Sequence, residues 1–350
     1  MKKICFYLVI LCLPFISFSQ QFSDYDVKYL KGVSYYNAGE YDFCIELMND
    51  YINNNKGKID KNYMPYVYRG TSYYYKKDID KSLDDFLKDI EIDPERSTYS
   101  VAVLYAMKGN KEKALFWLEK NQKSNEAISK SIILNDTDWG TMHNDADFKA
   151  LLSKNLCPKF KLYIDSTDYY YAEKNLKMAL AMIEVAIKAE PDNIKGYHAK
   201  GTIFMQTEDF STATAAFKKE IDLESAADYT KTKRYLGHQS YGVILSHQKD
   251  NEGAIKYLTQ SVEGNKTLYG SLFDIAAHQM AINDFQGSLK SMKQYLLIDD
   301  NDDFAHYMTG LAYLNLGDTK MSKYHAEQAI SIVKKSGAEV PQEYYDLKGN

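Results

Sequence analysis

Residues 70–94 read GTSYYYKKDIDKSLDDFLKDIEIDP. Three adjacent tyrosines precede a charge-laced amphipathic run. On a helix three successive residues sweep about 200°, so Tyr73, Tyr74 and Tyr75 cannot all face one core. Gly70 and Ser82 are small residues twelve apart, Phe86 follows Ser82 by four, and Pro94 closes the unit. The same small pair at the same spacing recurs as Gly32 with Cys44, Ala102 with Ala114, Thr167 with Ala179, Gly201 with Ala213, Gly242 with Ala254, Ala276 with Ser288 and Gly310 with Ser322. Three residues past each first member stand Tyr35, Tyr73, Tyr105, Tyr170, Phe204, Leu245, Gln279 and Tyr313. Four past each second member stand Met48, Phe86, Leu118, Ile183, Phe217, Leu258, Met292 and Ala326.

Small residues at a fixed spacing, flanked by large apolar ones, mark two antiparallel helices that approach closely where both lack bulk. Turn signals such as NAGEY, KGN, QKDNEG and NLGD lie between the paired runs and suit a helical hairpin. Each hairpin of roughly 34 residues leaves an apolar face bare and must stack on its neighbours.

On Tyr66, Gly70, Tyr73, Phe86 and Pro94, and on the equally good copy at 197–223, the chain resembles the tetratricopeptide repeat family. The resemblance covers about residues 25–122 and 161–335 and implies an all-α, right-handed α-α superhelix of about eight helical hairpins. The closing proline appears only as Pro94 and Pro191. A third small site expected in the second helix is instead Tyr51, Asp89, Asn121 or Glu220 in several copies. One interval between successive units is 65 residues, close to two units. It divides an N-terminal block of three hairpins (25–122) from a C-terminal block of five (161–335). We read 123–160 as a junction in which Trp139, Phe148, Leu151 and Leu152 cap the third hairpin; the alternative is a degenerate ninth repeat. Residues 336–350 read as a tail or short cap.

Only 6 prolines and 18 glycines in 350 residues favour helix over a strand-rich fold with many tight turns. The first residues, MKKICFYLVILCLPFISFSQQ, pair two lysines with an apolar run and small residues at Ser17 and Ser19. They read as a signal peptide, residues 1–19, so the protein is expected to be exported and to be periplasmic or secreted. The alternative is an uncleaved N-terminal anchor. The formal net charge is −5, and loss of Lys2 and Lys3 makes the remainder more acidic. Without a basic block this excludes a phosphate-backbone binder, so no nucleic acid is expected. Cys44 and Cys157 are too few and too far apart for a disulfide framework, and Cys44 fills a small-residue slot.

No residue set carries chemistry. In DDNDD (299–303) the sixth and twelfth positions of a calcium loop would need Gly and Glu but are Phe304 and Gly310. His238 and His247 are nine apart, without a zinc-binding spacing, and His238 and His306 fall on packing positions. There is no nucleophile elbow, phosphate loop or dinucleotide fingerprint, and Cys157 is the one thiol outside a packing slot. The expectation is no enzyme, no metal and no cofactor.

In helical projection Tyr73 faces its partner helix, Tyr74 the inner face of the superhelix, and Tyr75 its edge. The same reasoning assigns Tyr29, Val33, Tyr36, Thr71, Tyr74, Tyr99, Val103, Tyr171, His198, Phe273 and Tyr307 to an aromatic concave groove, with Tyr suited to protein recognition. Some members of the family clamp a peptide carboxylate with Lys and Asn. The matching places here hold Tyr29, Val67, Tyr99, Ile164, His198, Gln239, Phe273 and Tyr307, so that clamp is absent. The expected function is a non-catalytic, exported scaffold or adaptor binding a peptide or an envelope protein in this groove. The alternative is a membrane-anchored sensor or accessory arm of a signalling or transport system, which requires the leader to remain as an anchor.

Overall fold

The computed structural model describes residues 22–55, 59, 64–226 and 234–349. The leader assigned to residues 1–19 lies outside the described residues. Three hairpins come first: α1 (Asp24–Asn37) with α2 (Tyr41–Asn54), α3 (Pro65–Tyr75) with α4 (Ile79–Ile92), and α5 (Thr98–Met107) with α6 (Lys111–Gln122). Next are α7 (Lys130–Asn135), a 3-10 stretch Thr137–Asn144 and α8 (Ala146–Ser153). Five hairpins follow. They are α9 (Lys159–Ala172) with α10 (Leu176–Ala189), α11 (Ile194–Gln206) with α12 (Phe210–Ser225), and α13 (Leu236–His247) with α14 (Asn251–Gly264). The last two are α15 (Ser271–Ala281) with α16 (Phe285–Leu296), and α17 (Asp303–Asn315) with α18 (Thr319–Ser336); α19 (Gln342–Gly349) ends the described chain. Among the described residues there is no strand, and no helix is long and apolar enough to cross a membrane. The architecture is an all-α superhelical solenoid.

Each hairpin is closed by the same turn. The residue seven past the first small one adopts the left-handed conformation in all eight: Gly39, Lys77, Gly109, Lys174, Glu208, Lys249, Asn283 and Gly317. In seven hairpins the next residue is Asp or Asn, and its side chain accepts a backbone N–H of the second helix's first turn, as Asp78 does from Lys81 and Asp250 from Gly253. One of the four orphan donors at the helix start is thereby satisfied. Glu40 alone makes no such bond.

The small pairs lie where the two helices touch. A Cβ added at Gly201 would sit 2.5 Å from Cε1 of Phe217, and one at Gly242 would sit 2.7 Å from Leu258. The large residue four past the second small one thus packs directly onto the first. The four larger residues at the third small site reach across to other segments. The Tyr51 ring lies 5.2 Å from that of Tyr29, and Asp89 takes a forked bond from Arg96. Asn121 donates to Thr98 and to the Glu126 carbonyl, while Glu220 meets His198 at 3.1 Å.

In the junction, Trp139, Phe148, Leu151 and Leu152 are buried in one cluster with Ala102, Val103, Ala114 and Leu118 of the third hairpin. Its helices have 6 and 8 residues, against 10 to 18 in the hairpins. Contacts also tie the start of the described chain and the junction to the C-terminal block. Phe22 is buried in one cluster with Tyr241, Leu272 and Ile298, Lys266 lies over its ring at 5.5 Å, and Lys195 pairs with Glu126 at 2.5 Å. At the far end α19 is a cap: the Tyr344 ring stacks on Tyr307 at 4.9 Å.

Two substitutions test this packing in opposite directions. Gly201→Ala pushes a Cβ into the Phe217 ring and is expected to destabilise by about 1–3 kcal/mol. Ser82, Ser288 and Ser322 fill the slot that is alanine in four other hairpins, and their buried hydroxyls have no hydrogen-bond partner. Ser322→Ala should therefore stabilise by about 0.5–1 kcal/mol, the desolvation cost of the hydroxyl being removed. Urea melts of the two variants check both signs.

Candidate protein-interaction site

The three tyrosines of α3 diverge. Tyr73 lies under the Lys81 ammonium of its partner helix, 5.2 Å from the ring centre. Tyr74 points to the junction and donates its hydroxyl to Asp138. Tyr75 is 49% exposed and stacks on Tyr41 at 4.8 Å. From there rings continue through Tyr36, 6.1 Å from Tyr41, to Tyr68, 5.2 Å further.

Four of the residues assigned to the groove meet at one place. Thr71, Tyr74, Tyr99 and Val103 line a cavity of about 230 Å³ with Asp136 and Asp138 of the junction. The Tyr99 hydroxyl donates to Asp136 at 2.6 Å and accepts the Trp139 indole N–H at 3.1 Å. The hydrogen bond to Asp138, then burial, pushes the Tyr74 hydroxyl up to about 12; burial first, then the bond to Asp136, raises that of Tyr99. The face of the second and third hairpins that carries Thr71, Tyr74, Tyr99 and Val103 is therefore partly filled by the chain's own residues 136–139.

The other assigned residues scatter. Tyr29 is a correction: it is fully buried, its hydroxyl accepts the Met64 N–H at 3.0 Å, and it lines no open groove. Its ring fills the space between the first two hairpins, where a helix face turned inward is covered by the next repeat. Val103 is nearly buried and lines the cavity, and Val33 packs against the core. His198 partners the buried Glu220, and Tyr171 belongs to none of these groups. Phe273 and Tyr307 are joined by a residue the sequence reasoning missed. Phe304 is 46% exposed, stacks on Phe273 at 5.3 Å and lies 5.8 Å from Tyr307. With Tyr344 these rings make a row of four along the last two hairpins. Acidic residues hold one end of the row and a ring beside it: Tyr344 donates to Asp303 at 2.7 Å, and the adjoining Tyr295 to Asp302 at 2.9 Å. The signal for Phe304 was its place beside DDNDD, directly after the acids that start α17.

One polar chain has the hydrogen-bond order of a hydrolase triad: Ser246 to His278 Nε2 at 2.6 Å, and His278 Nδ1 to Asn251 at 2.8 Å. Acyl transfer also needs donors aimed at an oxyanion. The N–H groups following Ser246 are spent in the turn: Gln248 on Ile244, Lys249 on Ser246 and Asp250 on Leu245. The chain ties hairpins together. Burial raises the Cys157 thiol, opposite to the shift of an activated nucleophile. Among the described residues no cluster of metal-ligating side chains occurs.

No family model and no curated protein matches the chain. Among solved structures it is similar to that of MamA protein (17% identity, 52% of this chain and 98% of that chain, TM-score 0.45). MamA from Desulfovibrio magneticus RS-1 is similar at 15% identity, over 51% of this chain and 96% of that one, TM-score 0.44. YrrB, described as a TPR protein with an unusual peptide-binding site, is similar at 17% identity over 59% and 99%, TM-score 0.45.

The histidines give a pH test. His306 and His325, each 8% exposed, face each other Nδ1 to Nδ1 at 2.9 Å. His306 Nε2–H donates to the Asp300 carbonyl at 3.2 Å, so its Nδ1 accepts from His325. Burial first, then His306 and Lys293, pushes His325 down from 6.5 to about 4. A base depressed by folding stabilises fully above its unfolded pKa and loses that contribution as pH falls toward the folded value. Between pH 7.5 and 5 the loss is on the order of 1–2 kcal/mol. Denaturant melts at those two pH values should show a loss of stability in the wild type that shrinks by about this amount in His325→Gln, the remainder including His238, which burial also depresses.

Proposed function

We propose that the protein is an exported, non-catalytic scaffold that binds a peptide or another protein of the cell envelope through an exposed aromatic surface. The observation that carries the reading is the row Phe273, Phe304, Tyr307 and Tyr344, in which Phe304 stays 46% exposed although it is stacked. Large exposed rings on a monomer surface are the residues that dominate protein interfaces. These are pre-ordered by stacking and by the acidic residues that hold Tyr295 and Tyr344, so little side-chain entropy remains to be lost on binding. The face of the second and third hairpins that carries Tyr74 and Tyr99 supports the reading less, because residues 136–139 already occupy part of it.

A photo-crosslinking side chain placed at position 304 of the full chain, in its native envelope, tests the proposal. The expected result is a discrete protein adduct that falls about tenfold in Phe273→Ala, together with a mature N-terminus at Gln20. Phe304→Ala should leave the unfolding free energy within about 0.5 kcal/mol, as for other exposed positions. Smearing without a discrete adduct, or an adduct indifferent to Phe273→Ala, would sink the proposal.

A further inference from the structure

The cavity at the junction has a chemistry of its own, separate from the Phe304 row. Its lining is largely apolar and aromatic, with Phe86, Val103 and Leu104 beside Tyr74, Tyr75 and Tyr99, and Thr71 and Ser100 between them. Asp136 and Asp138 of the junction complete the lining. Among the described residues no ion pair reaches either carboxylate. Asp136 accepts from the Tyr99 hydroxyl and from the Asp138 N–H, and Asp138 from the Tyr74 hydroxyl. These neutral donors leave two like charges two residues apart without a cation. Lys77 stands over the Tyr74 ring at 5.5 Å, and neither it nor any other Lys or Arg lines the cavity. At about 230 Å³ the space lies below the ~300 Å³ at which pockets for drug-sized ligands begin.

We propose that this cavity is a recognition site for an alkylammonium group, such as the lysine side chain of a partner protein, with the hydrocarbon stem on Val103 and Leu104 and the ammonium between Asp136, Asp138 and the tyrosine faces. Three features converge on that ligand. Two carboxylates attract a cation, ring faces hold an ammonium through their quadrupole, and an apolar lining matches a methylene stem that lysine buries readily. A neutral chain of the same length meets only the apolar lining, and an anion is repelled. The site lies where the second and third hairpins meet the junction, so a bound side chain would touch both.

The Trp139 indole N–H reports on the site, since it donates to the hydroxyl of Tyr99, which lines the cavity, and the chain has only 2 tryptophans. The experiment titrates the full, isotope-labelled chain with n-butylammonium and, at matched ionic strength, with 1-butanol. A saturable shift of the Trp139 indole resonance with the ammonium and none with the alcohol is expected. Asp136→Asn with Asp138→Asn keeps acceptors for both tyrosine hydroxyls and should weaken the response at least ~10-fold, as loss of a charge-assisted contact does. Should that variant unfold, Thr71→Phe, which fills the cavity from the α3 side, should abolish the response in its place. N-acetyl-lysine amide and cadaverine, run as competitors, separate a protein side chain from a free amine as the source. Equal saturation by butanol, no saturation by the ammonium, or undiminished binding by the folded Asn or Phe variant each overturns the site. An adduct at position 304 that persists through such a result leaves the scaffold reading standing.

Discussion

The close approach of two helices at a pair of small residues is the constraint on which the structure depends. With Phe217 against Gly201 and Leu258 against Gly242, there is no room for a side chain on one helix and little freedom in the register of the other. The turn must then return the chain over a fixed distance. A left-handed residue seven past the small one does this in every hairpin, followed in seven of eight by an Asp or Asn cap. Five of those left-handed residues are not glycine: Lys77, Lys174, Glu208, Lys249 and Asn283. Such a conformation costs roughly 1–2 kcal/mol for an L-residue, so the helix contact and the cap together must outweigh that strain five times over.

Fixing the helices against one another and against the segment that follows is a separate problem, and the third site of the second helix addresses it. Where a small residue would make only van der Waals contact, Asp89 and Glu220 bury a carboxylate against Arg96 and His198, and Asn121 ties α6 to α5 and the junction. Burial of an ionised group is costly and a paired one adds little net stability. What such pairs do well is select one arrangement, because any slip leaves a charge buried without its partner. Glu220 with His198 fixes the two helices of one hairpin, while Asp89 with Arg96 and Asn121 with the Glu126 carbonyl hold a second helix to the segment that follows it.

The repeat itself was open to sequence reading because its signal is local: spacing within one hairpin, copied eight times. The divergence of Tyr73, Tyr74 and Tyr75 followed from helical projection and is seen in their partners Lys81, Asp138 and Tyr41. What escaped was long-range. Nothing in the periodicity of α1 says that Tyr29 is covered by the next hairpin, or that residues 136–139 fold back over 60 residues onto Tyr74. The burial of Phe22 with Tyr241 and Leu272 was equally out of reach, since curvature accumulates from small rotations that no single repeat displays. The Asp and Asn caps, by contrast, stand at a constant place in the sequence and could have been found.

Tyrosine is abundant, 31 residues, and some of these rings have a role that neither phenylalanine nor lysine could fill. Among the described residues tyrosine hydroxyls reach aspartates as Tyr74 to Asp138, Tyr99 to Asp136, Tyr295 to Asp302 and Tyr344 to Asp303. Phenylalanine would pack as well and hold nothing; a lysine would neutralise the acid and lose the ring. A tyrosine covers apolar surface with its body, fixes a loop with its hydroxyl, and leaves the aspartate its charge. Two surfaces result in which rigid rings stand beside carboxylates, one at the junction and one along the last two hairpins. Both are better matched to a cationic, partly apolar partner than to an anionic one, and the acidic balance of the chain favours the same sign of partner over longer range.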